Sequence, residues 1–165
     1  DPGGRPTVYD LLPGEFSTLF HVGRLDLESE GLLLLTNEGD VANRLMHPRH
    51  EVDRVYLVDV VGVPEGATVN RLLRGVKLED GVARAHAVKV VERQRAGRGA
   101  GAEAHARVRI TMREGRKREV RRLFDAVDHP VRRLVRERLG PIKLGDLESG
   151  RWRELTPREI AALRA

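Results

Sequence analysis

Residues 55–61 alternate without a break: Tyr56, Val58 and Val60 point one way, and Val55, Leu57 and Asp59 the other. Side chains on an extended chain change face at every residue, so the pattern reads as a half-buried strand. Ala106, Val108, Ile110 and Met112 repeat it against Arg107, Arg109 and Thr111. Two further β-rich stretches cover residues 85–92 and 131–135, and the Leu32-Leu33-Leu34-Leu35 run, bounded by Gly31 and Asn37-Glu38-Gly39, reads as a short, fully buried strand. Helical signals are fewer. Val120, Leu123, Phe124 and Val127 form one stripe at i, i+3, i+4 and i+7. Residues 40–46 place Val41 and Leu45 one turn apart, and residues 68–74 turn Leu72 and Leu73 inward before Gly75 closes the helix. Thr156-Pro157-Arg158-Glu159 is a capping box with proline at the first helical position, which starts a last helix through 160–164. Short alternating strands with interspersed helices predict an α+β domain around a mixed, largely antiparallel central sheet with flanking helices.

A chain of 165 residues holds one domain with a sizeable core. A 40% hydrophobic, 33% charged balance excludes disordered and fibrous classes. The longest apolar run is far too short to span a bilayer, and without cysteine neither disulfides nor thiolate metal sites are possible. His47 and His50, three apart with no third ligand nearby, read as helix-end and turn packing, so no metal is expected. Charge is informative by position. Residues 113–138 hold ten Lys or Arg against five Asp or Glu, while the remainder carries twenty of each sign. Such a surplus suits a nucleic-acid contact surface, and equally a solvated helix face with local pairs such as Arg121 with Asp125. The Gly/Ala/Arg tract at 95–101 reads as a hairpin tip.

One segment carries chemistry. Phe20-His21-Val22-Gly23-Arg24-Leu25-Asp26 runs through Glu30-Gly31 into the leucine run and Thr36-Asn37, with Arg24 and Asp26 on one face of extended chain. An isolated Arg-x-Asp reads as a surface ion pair and a turn-starting aspartate. Here the surrounding pattern is long: residues 22–39 fit V-G-R-L-D-x-x-S-x-G-L-L-L-L-T-N-x-G without a gap. Four more blocks occur in order: Gly4-Arg5-Pro6-Thr7-Val8 with Asp10-Leu11-Leu12-Pro13; Leu45-Met46-His47-Pro48 with Tyr56-Leu57-Val58; the run from Gly115 to Phe124; and the run from Leu139 to Gly145 with Trp152-Arg153-Glu154-Leu155-Thr156. Together they resemble the bacterial ribosomal-RNA pseudouridine synthases, in the branch that holds synthase A of the small ribosomal subunit and synthases B, E and F of the large one. The spacing of the second block is most like the synthase B type.

The resemblance implies a mixed sheet with an active cleft across it, and isomerisation of a ribosomal-RNA uridine with no cofactor. It assigns the catalytic carboxylate to Asp26, the supporting cation to Arg121, and a stacking, proton-removing role to Tyr56. Arg24 would help hold the target nucleotide out of its stack, at a cost of a few kcal/mol that phosphate binding offsets in part. Arg116, Lys117 and Arg122 would bind substrate phosphates. Whether Asp26 attacks the sugar, attacks the base or abstracts a ribose proton is left open. Glu28 and Glu30 read as solvent-exposed turn carboxylates and not as a glycosidase pair. Relatives carry a small RNA-binding module, a linker and a Lys-Pro strand ahead of the Gly4-Arg5-Pro6 loop, so residues 1–165 are expected to be a catalytic domain without these. The third block reads Arg118-Glu119 where many relatives have His-Gln or Arg-Gln. The expected setting is cytoplasmic and monomeric, with ribosomal RNA as partner. The competing readings are a non-catalytic RNA-binding or ribosome-assembly protein and a carboxylate-dependent hydrolase.

Overall fold

A computed structural model describes residues 4–97 and 103–165. The long strands are β4 (Arg54–Val61), β7 (Ala87–Gln94), β8 (His105–Met112) and β9 (Val131–Leu139), and with the short β10 (Ile142–Lys143) they lie in the order β10-β9-β4-β8-β7, every neighbour antiparallel. One parallel pairing is added where β2 (Glu30–Gly31) lies beside Val135 and Arg136 of β9. The fold is thus α+β around a mixed, largely antiparallel sheet, as the alternation predicts.

The alternation also fixes which face is covered. Val58 and Val60 of β4, Ala106, Val108, Ile110 and Met112 of β8, and Leu134 of β9 are buried on one face. Helices α2 (Gly66–Arg74) and α3 (Glu119–Ala126) close over it through Leu72, Val120, Leu123 and Phe124, together with the β5 (Val76–Leu78) and β6 (Gly81–Ala83) hairpin. The opposite face, with Leu57, Asp59, Arg107, Arg109 and Glu137, is an open groove of about 650 Å³ laced by Arg107–Asp59 and Arg109–Glu137 ion pairs. A second, smaller core joins Val22 of β1 (Phe20–Val22), Leu34 of β3 (Leu34–Thr36), Val41 and Leu45 of α1 (Gly39–Met46), Leu139, Ile142 and Leu163 of α4 (Pro157–Arg164). The capping box at Thr156 and Glu159 forms in both directions.

Several expectations need correcting. The leucine run is not one strand: β2 ends at Gly31, the chain crosses at Leu32 and Leu33, and β3 begins at Leu34. The cause is Gly31, whose φ of +111° bends the backbone so close to β9 that a Cβ would lie 2.3 Å from the Arg136 carbonyl oxygen. Leu32 and Leu34 are buried, while Leu33 and Leu35 are half-buried. Leu73 is exposed, because consecutive helix positions lie about 100° apart and Leu72 takes the inward one. The third β stretch starts at Ala87, since the Ala85 N–H is spent on the Leu72 carbonyl in the last turn of α2. The fourth continues to Leu139 through an Arg-Glu-Arg sequence that masks its alternation. Of the expected hairpin tip, Arg95 pairs with Glu65 at 2.7 Å, and residues 98–102 lie outside the described residues.

Candidate active site

Asp26 lies between β1 and β2, on a turn closed by the Ser29 N–H, which donates to the Asp26 carbonyl at 2.9 Å. The turn is clamped from two elements. Arg121, projecting from α3, donates through Nη2 to the Glu28 carbonyl at 2.9 Å and approaches the Glu28 carboxylate at 3.9 Å. Arg118 reaches the same carboxylate at 3.5 Å. From β9, Arg133 grips Glu30 with two donors at 2.9 and 3.0 Å. Asp26 is half-buried and makes no side-chain hydrogen bond or ion pair among the described residues. Arg24 is exposed beside it, equally without a described partner. Leu27, at the tip of the turn, is 79% exposed.

Arg121 therefore holds the turn that carries Asp26, through the backbone two residues on, and pairs with neither the Asp26 carboxylate nor Asp125. Its side chain is only 12% exposed, and its Nε lies buried without a partner. The residue just before α3 is strained: Arg118 sits at φ +53°, a left-handed conformation that costs a non-glycine residue of order 1 kcal/mol and clusters at functional sites. Tyr56 is half-buried on the covered face of β4, directly across from Arg136 of β9.

The substrate-binding candidates separate. Lys117 is exposed with no described partner. Arg122 is held by both carboxylate oxygens of Asp80, at 2.7 and 3.2 Å, and Arg116 donates to the Val82 carbonyl at 2.6 Å and pairs with Glu114 at 3.1 Å. These two arginines also fasten α3 to the β5–β6 turn. Glu28 and Glu30 are not idle turn carboxylates: both are arginine-bound, and Glu30 belongs to β2. The Arg133 hydrogen bond holds Glu30 below the ordinary carboxylate range, the wrong direction for a glycosidase acid, which needs its proton near neutral pH.

Glu119, the first residue of α3, has a side chain 3% exposed, with Arg116 Nε at 3.3 Å. Burial, then the neighbouring Glu114 carboxyl, pushes its pKa up to about 8. A folded-state value above the unfolded one means the native protein holds this proton more tightly. The stabilisation it gives is complete below about pH 4.5 and is lost as pH rises through about 8. Glu119→Gln keeps the shape of the protonated acid and cannot ionise. Its thermal midpoint is expected near that of the parent at about pH 4 and clearly above it at about pH 9. An equal difference at both values would contradict a protonated Glu119.

His47 Nδ1 accepts from the Arg49 N–H at 3.3 Å, and the His47 and His50 rings meet edge-on at 6.0 Å. No group of three His, Cys, Asp or Glu among the described residues could hold a metal. Two cavities of about 650 and 1000 Å³ are lined by neither Asp26, Tyr56 nor Arg121, so the candidate groups lie outside both volumes.

Residues 9–126 match the RNA pseudouridylate synthase family. The chain belongs to that family. It is 43% identical over 162 residues to an uncharacterized RNA pseudouridine synthase of Aquifex aeolicus, covering 98% of this chain and 62% of that protein. It is 38% identical over 165 residues to the ribosomal large subunit pseudouridine synthase B of Bacillus subtilis, covering 100% of this chain and 65% of that protein. The crystal structure of a pseudouridylate synthase superposes with a TM-score of 0.82 at 28% identity, over 96% of this chain and 65% of that one. The chain thus spans under two thirds of the length of these relatives. The family fold accounts for the sheet, and the turn carrying Asp26 lies inside the matched residues.

Arg136 is a residue that the motif does not mark. A signal for it is nonetheless present: on β9 it shares a face with the buried Leu134, so a cation occupies an inward position.

Proposed function

We propose that this chain isomerises uridine to pseudouridine in ribosomal RNA, with the large subunit as the favoured substrate and the Asp26 carboxylate as the catalytic group. The observation that carries the reading is the Asp26 turn itself: arginines from α3 and β9 fix it at Glu28 and Glu30, while the Asp26 carboxylate is left unspent. An ionised carboxylate that is held in place yet unpaired can capture the substrate or stabilise an oxocarbenium-like sugar. The reaction breaks the bond from N1 of uracil to C1′, turns the base, joins C5 to C1′ and moves the C5 proton to N1. Atoms and electrons balance within the nucleotide, so no redox partner is consumed. Asp26 supplies the charge beside the ribose, Arg121 holds the turn that bears it, and the Tyr56 ring offers a stacking surface whose hydroxyl can take part in removing the C5 proton. Arg24 is free to bind phosphate as the base leaves its stack. No helix among the described residues is long and apolar enough to cross a membrane. A cytoplasmic setting and action as a monomer complete the reading.

The protein, incubated with unmodified large- and small-subunit ribosomal RNA transcripts, is expected to leave carbodiimide-dependent reverse-transcription stops at one or a few large-subunit uridines. Stops in neither transcript would overturn the activity, and stops confined to the small-subunit transcript would overturn the choice of substrate.

RNA affinity should fall steeply with salt, because each phosphate contact releases counterions worth roughly 0.7 in the log–log slope for single-stranded RNA. Lys117→Gln should lower that slope by about one contact with thermal stability unchanged, since Lys117 holds nothing in the described fold. Arg116→Gln and Arg122→Gln should lower the slope and the thermal midpoint together, because both also hold Asp80. An unchanged slope in all three variants would remove this stretch from the RNA interface.

A further inference from the structure

Arg136 is 4% exposed, and no carboxylate pairs with it among the described residues. Burial drives its pKa downward, against the small opposing influence of Tyr56. A buried guanidinium without an acid costs several kcal/mol of desolvation, a burden that a purely structural position could shed to an apolar side chain. Its hydrogen bonds show what it holds. Nε and Nη2 both donate to the Leu32 carbonyl, at 2.9 and 2.7 Å. The same residue's backbone carbonyl accepts the Leu32 N–H at 2.8 Å. Arg136 therefore grips the Leu32 residue from both sides, at the end of the segment that carries Asp26. Immediately before it, Gly31 lies flat on the Arg136 backbone, where no Cβ would fit. Its cross-strand partner on β4 is Tyr56, next to the register shift between Val55 and Tyr56.

We infer that Arg136 is a positioning residue whose fork of hydrogen bonds to Leu32 fixes the Asp26 segment against the strand position directly across from Tyr56. The inference rests on the proposed reaction for its kinetic consequence and on the fold alone for its geometry. Arg133 holds the turn at Glu30 by an exposed arginine–carboxylate pair, which is weak, and Arg121 holds it at the Glu28 carbonyl; the Leu32 end is held in the core, where the alternative to a made hydrogen bond is an unsatisfied buried group. Loss of the fork should leave RNA contacts in place and shift the reacting groups, and a displacement near 1 Å costs of order 100-fold in rate.

The test uses Arg136→Lys, which keeps the charge and loses the fork, and Arg136→Met, which keeps length and loses both. Turnover and KM are measured by tritium release from ribosomal RNA labelled at uridine C5, and hydrogen exchange is followed at the Leu32 amide. Both variants are expected to lose about 10- to 100-fold in kcat with KM within about threefold, and to expose the Leu32 amide while the β4 and β8 amides stay protected. Near-parent kcat in a folded Met variant would show that the residue only fills space; near-parent kcat in the Lys variant would show that charge and not the fork matters. Either overturns the inference. Should both variants fail to fold, the parent protein decides: a slowly exchanging Arg136 Nε–H, scalar-coupled to the Leu32 carbonyl carbon, supports the fork, and rapid exchange without coupling overturns it. A parent that binds RNA and releases no tritium contradicts the proposed reaction, while the exchange data still judge the fork.

Discussion

Asp26→Asn is expected to abolish turnover, by at least about 1,000-fold or roughly 4 kcal/mol of barrier, with RNA binding and thermal stability nearly unchanged. The substitution keeps shape and hydrogen-bonding capacity and removes charge and nucleophilicity. Stability should hold because the Asp26 carboxylate supports nothing in the described fold: its turn is closed by its backbone carbonyl, and the clamps fall on Glu28 and Glu30. Binding should hold because the contacts with phosphate come from cations elsewhere. Single-turnover assays beside filter binding check both halves. An Asn variant working near the parental rate would return the chain to the reading of a non-catalytic RNA-binding protein.

Tyr56 gives the second large effect. Tyr56→Phe keeps the ring on the covered face of β4 and removes only the hydroxyl. It should bind RNA like the parent and release C5 tritium at least about tenfold more slowly, the low end for loss of a group that helps move a proton. Tyr56→Ala removes the stacking surface as well and withdraws a side chain that packs against the main core. It should lose activity further and destabilise by about 3 kcal/mol or more. Full activity in the Ala variant would place Tyr56 in packing alone.

Local periodicity carries much of the fold. The inward stripe of α3, the capping box of α4 and the alternation of β4 and β8 all follow from spacing that tertiary structure has no reason to override. The leucine run misleads because apolarity alone cannot show that Gly31 lies on the backbone of a strand a hundred residues later. The far half of β9 is hidden because Arg136, Glu137 and Arg138 look like solvent-facing residues, although Arg136 faces the core. At the site, the motif locates Asp26, Arg24, Tyr56 and Arg121, but not what they do to one another. The links from Arg121 to Glu28, Arg133 to Glu30 and Arg136 to Leu32 join residues 93, 103 and 104 positions apart, and two of the three end on backbone carbonyls, which no side-chain pattern announces. Glu119 is legible as a residue and not as an acid, because its proton depends on burial and on Glu114.

Tritium release from large-subunit ribosomal RNA labelled at uridine C5 tests catalysis by Asp26 most directly, since the label is lost only when the C5–H bond breaks. The parent protein should release tritium in step with pseudouridine formation, and Asp26→Asn should release none above background while still binding the RNA. Equal release by both proteins, or none from a parent that binds the RNA, would contradict it.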